Sequence, residues 1–198
     1  MSSEKKILNN SDTLIVCFGG MALKMGGILP FEFLNYLSKT YENRLDLIFY
    51  IDKDQCWYHK GIRGITKNID ETVEYLKNII SGYKKTIFMG VSSGGYASIL
   101  FGSLCNVTNV VAFIPPTTYK KKMIDKKYFN LKTVINKNTK YLLNGDPLEK
   151  RDKNHFISEC YNLEEFENVK IEKYPRLNMK KLRNNGTIKI ILDNIIED

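Results

Sequence analysis

Long apolar runs are missing from this chain. No stretch reaches about 18 apolar residues, so no transmembrane helix is expected. The opening residues MSSEKKILNNSDTL hold no apolar segment of the kind a secretory leader uses, so no such leader is expected either. Cysteine is sparse: Cys17, Cys56, Cys105 and Cys160 are widely and irregularly spaced, with no C-x-x-C. That spacing argues against a zinc site and against a disulfide framework. Cys17 and Cys105 sit in apolar surroundings and read as core thiols. A reducing, cytoplasmic setting is the simplest expectation, with no metal and no cofactor. Histidine is scarcer still. His59 and His155 are the only two, so any imidazole chemistry has two candidates.

Charge of one sign is in excess. Lys and Arg number 30 against 22 acidic residues, a formal charge of +8. The densest run is Lys120-Lys121-Lys122, with Lys126 and Lys127 close behind. A basic surface attracts nucleic acid or anionic glycans, but no nucleic-acid-binding motif accompanies it. The excess reads instead as a compositional Lys, Asn and Ile bias. Neither nucleic acid nor a membrane is expected as a partner.

What is present fits one compact unit. With 198 residues, 43% hydrophobic and 12% aromatic, the chain can bury a sizeable core. A single domain over 1–198 is expected, with 1–12 as a flexible tail. Short continuous apolar runs read as buried parallel strands: TLIVCFGG (13–20), LDLIFYID (45–52), KTIFMGV (85–91), NVVAFIPP (109–116), TKYLLNGD (139–146) and NVKIEKYP (168–175). Helical spacing lies between them, at 30–41, 68–83, 94–104 and 185–196. Strands alternating with helices predict an α/β fold, a mostly parallel sheet of about six strands flanked by helices. The lysine-rich stretch 117–138 is ambiguous.

One turn carries chemistry. Gly90-Val91-Ser92-Ser93-Gly94 fits G-x-S-x-G between a predicted strand and a predicted helix. So tight a turn strains the central residue and lifts its hydroxyl above the sheet's carboxyl edge. Glycines two before and two after leave room for the crossing backbones. The helix N-terminus beneath favours negative charge. By spacing, Ser92 is the nucleophile and Ser93 supplies an N–H to an oxyanion hole.

On these residues the sequence resembles the α/β-hydrolase superfamily, from about Thr13 to Ile196. It is most similar to a compact, lidless branch found in bacterial glycan loci and large DNA viruses. Phe18-Gly19-Gly20, Trp57-Tyr58-His59-Lys60-Gly61, Ser92-Ser93-Gly94-Gly95-Tyr96, and Asn178 with Asn185-Gly186-Thr187 carry the likeness. The resemblance implies a minimal hydrolase fold and a second oxyanion donor among the N–H groups around Gly20 and Met21. It implies an acid after KYLLNGD, where Asp146 and Asp152 compete. Asp152, in D-x-x-H with His155, is preferred.

The departure from the family is at the base. Relatives carry His-Asn where this chain has Leu177-Asn178, and leucine takes no proton. His155 is the candidate for a displaced base, oriented by Asp152 or Asp146. His59 is a second candidate, and no base at all is a third. Trp57, Tyr58 and His59 read as a substrate-binding group, because aromatics at a cleft stack on sugar rings. The leading expectation is a serine esterase acting through Ser92, with Asp152 and His155, on an acylated small molecule or glycan. The rival is a pocket that binds without catalysis. A histidine nitrogen within hydrogen-bond reach of Ser92 separates the two. The oligomeric state is not legible.

Overall fold

The computed structural model describes residues 2–21, 31–119 and 125–198. The run Lys120-Lys121-Lys122 lies outside the described residues, as does the start of the helix expected from residue 30. Among the described residues seven strands form one sheet: β1 Glu4–Ile7, β2 Thr13–Phe18, β3 Asp46–Tyr50, β4 Lys85–Val91, β5 Asn109–Phe113, β6 Lys140–Gly145 and β7 Val169–Lys173, in the order β1-β3-β2-β4-β5-β6-β7. All neighbours run parallel except β1, which pairs antiparallel with β3 from Glu4↔Tyr50 to Ile7↔Leu47. The helices are α1 Leu34–Thr40, α2 Ile69–Ile80, α3 Ser93–Cys105, α4 Ile157–Tyr161, α5 Met179–Asn184 and α6 Thr187–Glu197.

β1 corrects the reading of 1–12 as a flexible tail, and it makes seven strands rather than about six. EKKI carries little apolar signal of its own. The open edge of β3 supplies its backbone partners, and the Glu4 carboxylate accepts hydrogen bonds from the Tyr50 and Tyr75 hydroxyls at 3.1 and 2.5 Å.

The inner strands alternate between two cores, as a period of two requires. Leu14, Val16 and Phe18 of β2 pack with α2 and α3, whereas Ile15 and Cys17 pack with α1 and α6. On the first face, Phe18 lies against Tyr50, Tyr58, Phe88 and Phe101. On the second, Ile188, Ile191 and Leu192 close over the sheet. α2 starts where its sequence says it should: the Asn68 side chain accepts from the Glu71 N–H, and Asp70 and Glu71 complement the helix dipole. The ambiguous stretch after β5 holds two short 3₁₀ turns, Lys126–Tyr128 and Leu131–Thr133. No helix among the described residues is long and apolar enough to cross a membrane.

Candidate active site

β4 and α3 meet at Ser92, whose backbone has φ 55° and ψ −121°. An L-residue pays about 1–3 kcal/mol for such a conformation, which persists only when its surroundings over-determine it. Here the Ser92 N–H donates to Phe113 O at 3.0 Å, and Ser92 O accepts from the Tyr96 N–H at 2.9 Å. The flanking glycines are steric necessities. A Cβ on Gly90 would lie 2.3 Å from Gly94 C and O, and one on Gly94 would lie 2.1 Å from Phe18 O. The strained serine and crossing glycines are what G-x-S-x-G encodes. Ser93 opens α3, so its N–H has no acceptor within the helix.

His155 meets this serine. Its Nε2 lies 2.7 Å from Ser92 Oγ, and its Nδ1 lies 3.2 Å from Asp152 Oδ2. Asp152 opens a 3₁₀ turn over Lys153–His155: its other oxygen accepts from the Asn154 N–H, and its carbonyl accepts from the His155 N–H at 2.9 Å. The carboxylate on Nδ1 favours the tautomer with its proton there, leaving Nε2 to accept from the Ser92 hydroxyl. Asp152 is 48% exposed and His155 23%, so solvent screens this pair more than a buried one. Behind it, the Glu159 carboxylate accepts from the Thr117 and Thr118 N–H groups at 2.7 and 2.8 Å, tying α4 to the chain after β5.

Asp146 does something else. Buried at the end of β6, it accepts from the N–H groups of Leu148, Arg176 and Leu177 at 2.8, 3.0 and 2.9 Å. It therefore clamps the loop after β7 to the loop after β6. Leu177 packs its side chain against the α1/α6 core.

His59 does not join Ser92. Its Nε2 pairs with the Tyr96 hydroxyl at 3.0 Å and its Nδ1 accepts from the Asp125 N–H at 3.1 Å. Those partners require a neutral ring protonated at Nε2. Burial pushes its pKa from 6.5 down to about 4, with Asp125 opposing. The unfolded chain takes up a proton near pH 6.5, whereas the folded one waits until about 4. The stability His59 contributes is thus complete above pH 6.5 and is lost as pH falls to about 4. Thermal unfolding between pH 7 and 4 checks this. The wild type should lose several degrees more than His59→Gln, whose amide keeps a donor toward Tyr96 without titrating; parallel curves would refute it.

Trp57 and Tyr58 are also corrected. They are 4% and 0% exposed, so neither is free to stack on a sugar. Trp57 stacks on Tyr119 with ring centroids 3.7 Å apart, and the Tyr58 hydroxyl donates to Gly19 O at 3.1 Å. Aromatic residues before a glycine read equally well as a ligand platform or as core; burial decides.

At the expected oxyanion loop, the Gly20 N–H donates to Glu32 Oε2 at 3.3 Å. Gly20 is therefore engaged rather than open, while Met21 and Ser93 remain the neighbouring backbone candidates. Burial raises the Glu32 carboxyl above its ordinary range, and the Gly20 N–H and Arg183 pull the other way. Glu32 and Gln55, whose Nε2 donates to Met21 O at 3.2 Å, were not singled out from the sequence. Gln55 lies in a stretch without periodicity or motif, and Glu32 is a polar residue at the start of 30–41, where the helical spacing points to the apolar positions instead. A cavity of about 830 Å³ lies elsewhere, between β6, β7 and α6.

Solved structures share this architecture. The capsule O-acetyltransferase of Neisseria meningitidis serogroup A superposes with a TM-score of 0.65 at 13% identity, covering 94% of this chain and 88% of its own. FphF, a fluorophosphonate-binding serine hydrolase of Staphylococcus aureus, gives 0.64 at 12% identity, over 97% and 86%. This chain has the α/β-hydrolase fold. An α/β serine hydrolase without a lid from Xanthomonas campestris is similar too, at a TM-score of 0.50 and 13% identity, over 87% and 77%. No protein-family model matches the sequence, and no curated protein matches it. Within the hydrolase fold, Ser92 directly follows the fourth strand and the loop after β6 brings His155 to it.

Proposed function

We propose that the protein is a serine hydrolase that cleaves carboxylic esters through Ser92. The observation that carries this reading is the 2.7 Å contact between Ser92 Oγ and His155 Nε2. Ser92 Oγ attacks the ester carbonyl as its proton passes to Nε2. The oxyanion is held by the backbone N–H groups of Ser93 and Met21. His155 then protonates the departing alkoxide, and the acyl group remains on Ser92 as an ester. Water, deprotonated by the same nitrogen, releases the acid. Asp152 keeps the ring oriented and stabilises its cation.

The acyl-serine does not distinguish water from a sugar hydroxyl as acceptor. The O-acetyltransferase likeness is consistent with transfer to a hydroxyl, and an acylated small molecule or glycan is the substrate class proposed. A binding module without catalysis has less support, since a base within reach of the nucleophile is what it would lack. The proposed setting is cytoplasmic, and the whole chain acts as one domain without cofactor. Labelling with a fluorophosphonate tests the reading. Stoichiometric modification at Ser92 is expected, and an unlabelled serine in folded protein would refute it.

A further inference from the structure

We propose that Gln55, Tyr58 and Glu32 are positioning residues that hold the Gly19–Met21 turn so that the Met21 N–H faces the oxyanion. The proposal rests on the serine-hydrolase reading above. Four backbone groups of this turn are fixed from outside it. The Gly19 N–H donates to Tyr50 O at 3.0 Å. Gly19 O accepts from the Tyr58 hydroxyl at 3.1 Å, the Gly20 N–H donates to Glu32 at 3.3 Å, and Met21 O accepts from Gln55 at 3.2 Å. With the Gly19 and Gly20 donors used, the Met21 N–H is the donor of the turn assigned to the reaction.

The turn is pressed against the elbow on both sides of the nucleophile. A Cβ on Gly20 would lie 3.1 Å from Val91 O and 3.9 Å from Ser93 Oγ. A small rotation of the turn therefore moves its donors relative to the carbonyl that Ser92 attacks.

The supporting loop is itself strained. Gln55, Trp57 and Tyr58 have φ of 47°, 60° and 62°, the left-handed region, and none is glycine. Such residues cost free energy unless the surroundings hold them. Asp52 Oδ2 accepts from the Tyr58 N–H at 3.2 Å, and Trp57 is buried against Tyr119 and Tyr96. In this shape the loop delivers the Tyr58 hydroxyl to one end of the turn and the Gln55 amide to the other. The aromatic stretch thus serves the chemistry through the backbone it braces.

Tyr58→Phe and Gln55→Ala test this, separately and together. Active sites are first counted by fluorophosphonate labelling, so loss of folded protein divides out. Hydrolysis of a p-nitrophenyl ester is then measured, with inhibition by a trifluoromethyl ketone, whose serine adduct carries an oxyanion. Losing a whole oxyanion donor costs about 10²–10³-fold, so a misaligned one should cost about tenfold. Each variant should lower kcat per labelled site by about that factor with KM little changed. The ketone's inhibition constant should rise in proportion to the fall in kcat/KM. If kcat per labelled site and ketone inhibition both hold, or KM alone moves, the proposal is wrong. Gln55 is half-buried, so its variant decides alone if Tyr58→Phe does not fold. A wild type that neither labels nor turns over would overturn the hydrolase reading and this proposal with it. Labelling and turnover that persist while the variants behave as wild type would overturn this proposal only.

Discussion

Ser92→Ala abolishes ester hydrolysis while the protein stays folded. In a triad acting as a unit, loss of the nucleophile costs about 10⁶-fold in kcat, which places the variant at the detection limit. The fold should tolerate the change. The alanine keeps the Cβ that already fits at φ 55°, and the backbone bonds to Phe113 and Tyr96 stay. What is lost is one hydrogen bond to His155, worth about 1 kcal/mol. Hydrolysis of a p-nitrophenyl ester, unfolding temperature and fluorophosphonate labelling form the set of measurements. Turnover that survives the substitution would move the activity to another residue or to a contaminant.

His155→Ala should lower kcat by at least about 10²–10⁴-fold, the usual contribution of a general base, and by about as much as Ser92→Ala where the triad acts as a unit. Ser92 would keep its strained backbone and its oxyanion donors but lose the nitrogen 2.7 Å away. The paired variant is Leu177→His, which restores histidine at the position that relatives use. From sequence alone, that substitution is expected to raise the rate, or to add little where His155 already acts as the base. The structure favours the second outcome. Ser92 already has a histidine, and Leu177 packs its side chain into the α1/α6 core while Asp146 holds its N–H. Leu177→His should therefore add nothing to the wild type and should leave His155→Ala unrescued. Normal rates for His155→Ala would remove the base assignment. Recovery in the double variant would show that position 177 still reaches the serine.

The sequence by itself determined what depends on near neighbours along the chain. Gly90 and Gly94 announce the elbow because the clash they avoid is local, within five residues and one adjacent strand end. The helix over Ile69–Ile80 and the continuous apolar strands follow from periodicity and capping. The spacing of Asp152 and His155 on one short turn was visible too.

Tertiary structure decided everything that required distant segments to meet. β1 exists because β3 has an open edge, which EKKI does not reveal. Asp146 competed with the preferred Asp152 as the acid until burial gave the first to Arg176 and Leu177 and exposure left the second beside His155. Trp57 and Tyr58 looked like a sugar platform until packing placed them in the core. His155 stood ahead of His59 as the base, with no base at all still open, until one ring met Tyr96 and the other met a serine 63 positions away. Local sterics and periodicity are written in consecutive residues. Which polar groups share a site depends on how the loops at the sheet's carboxyl edge come together, and that is set by the packing of the whole sheet.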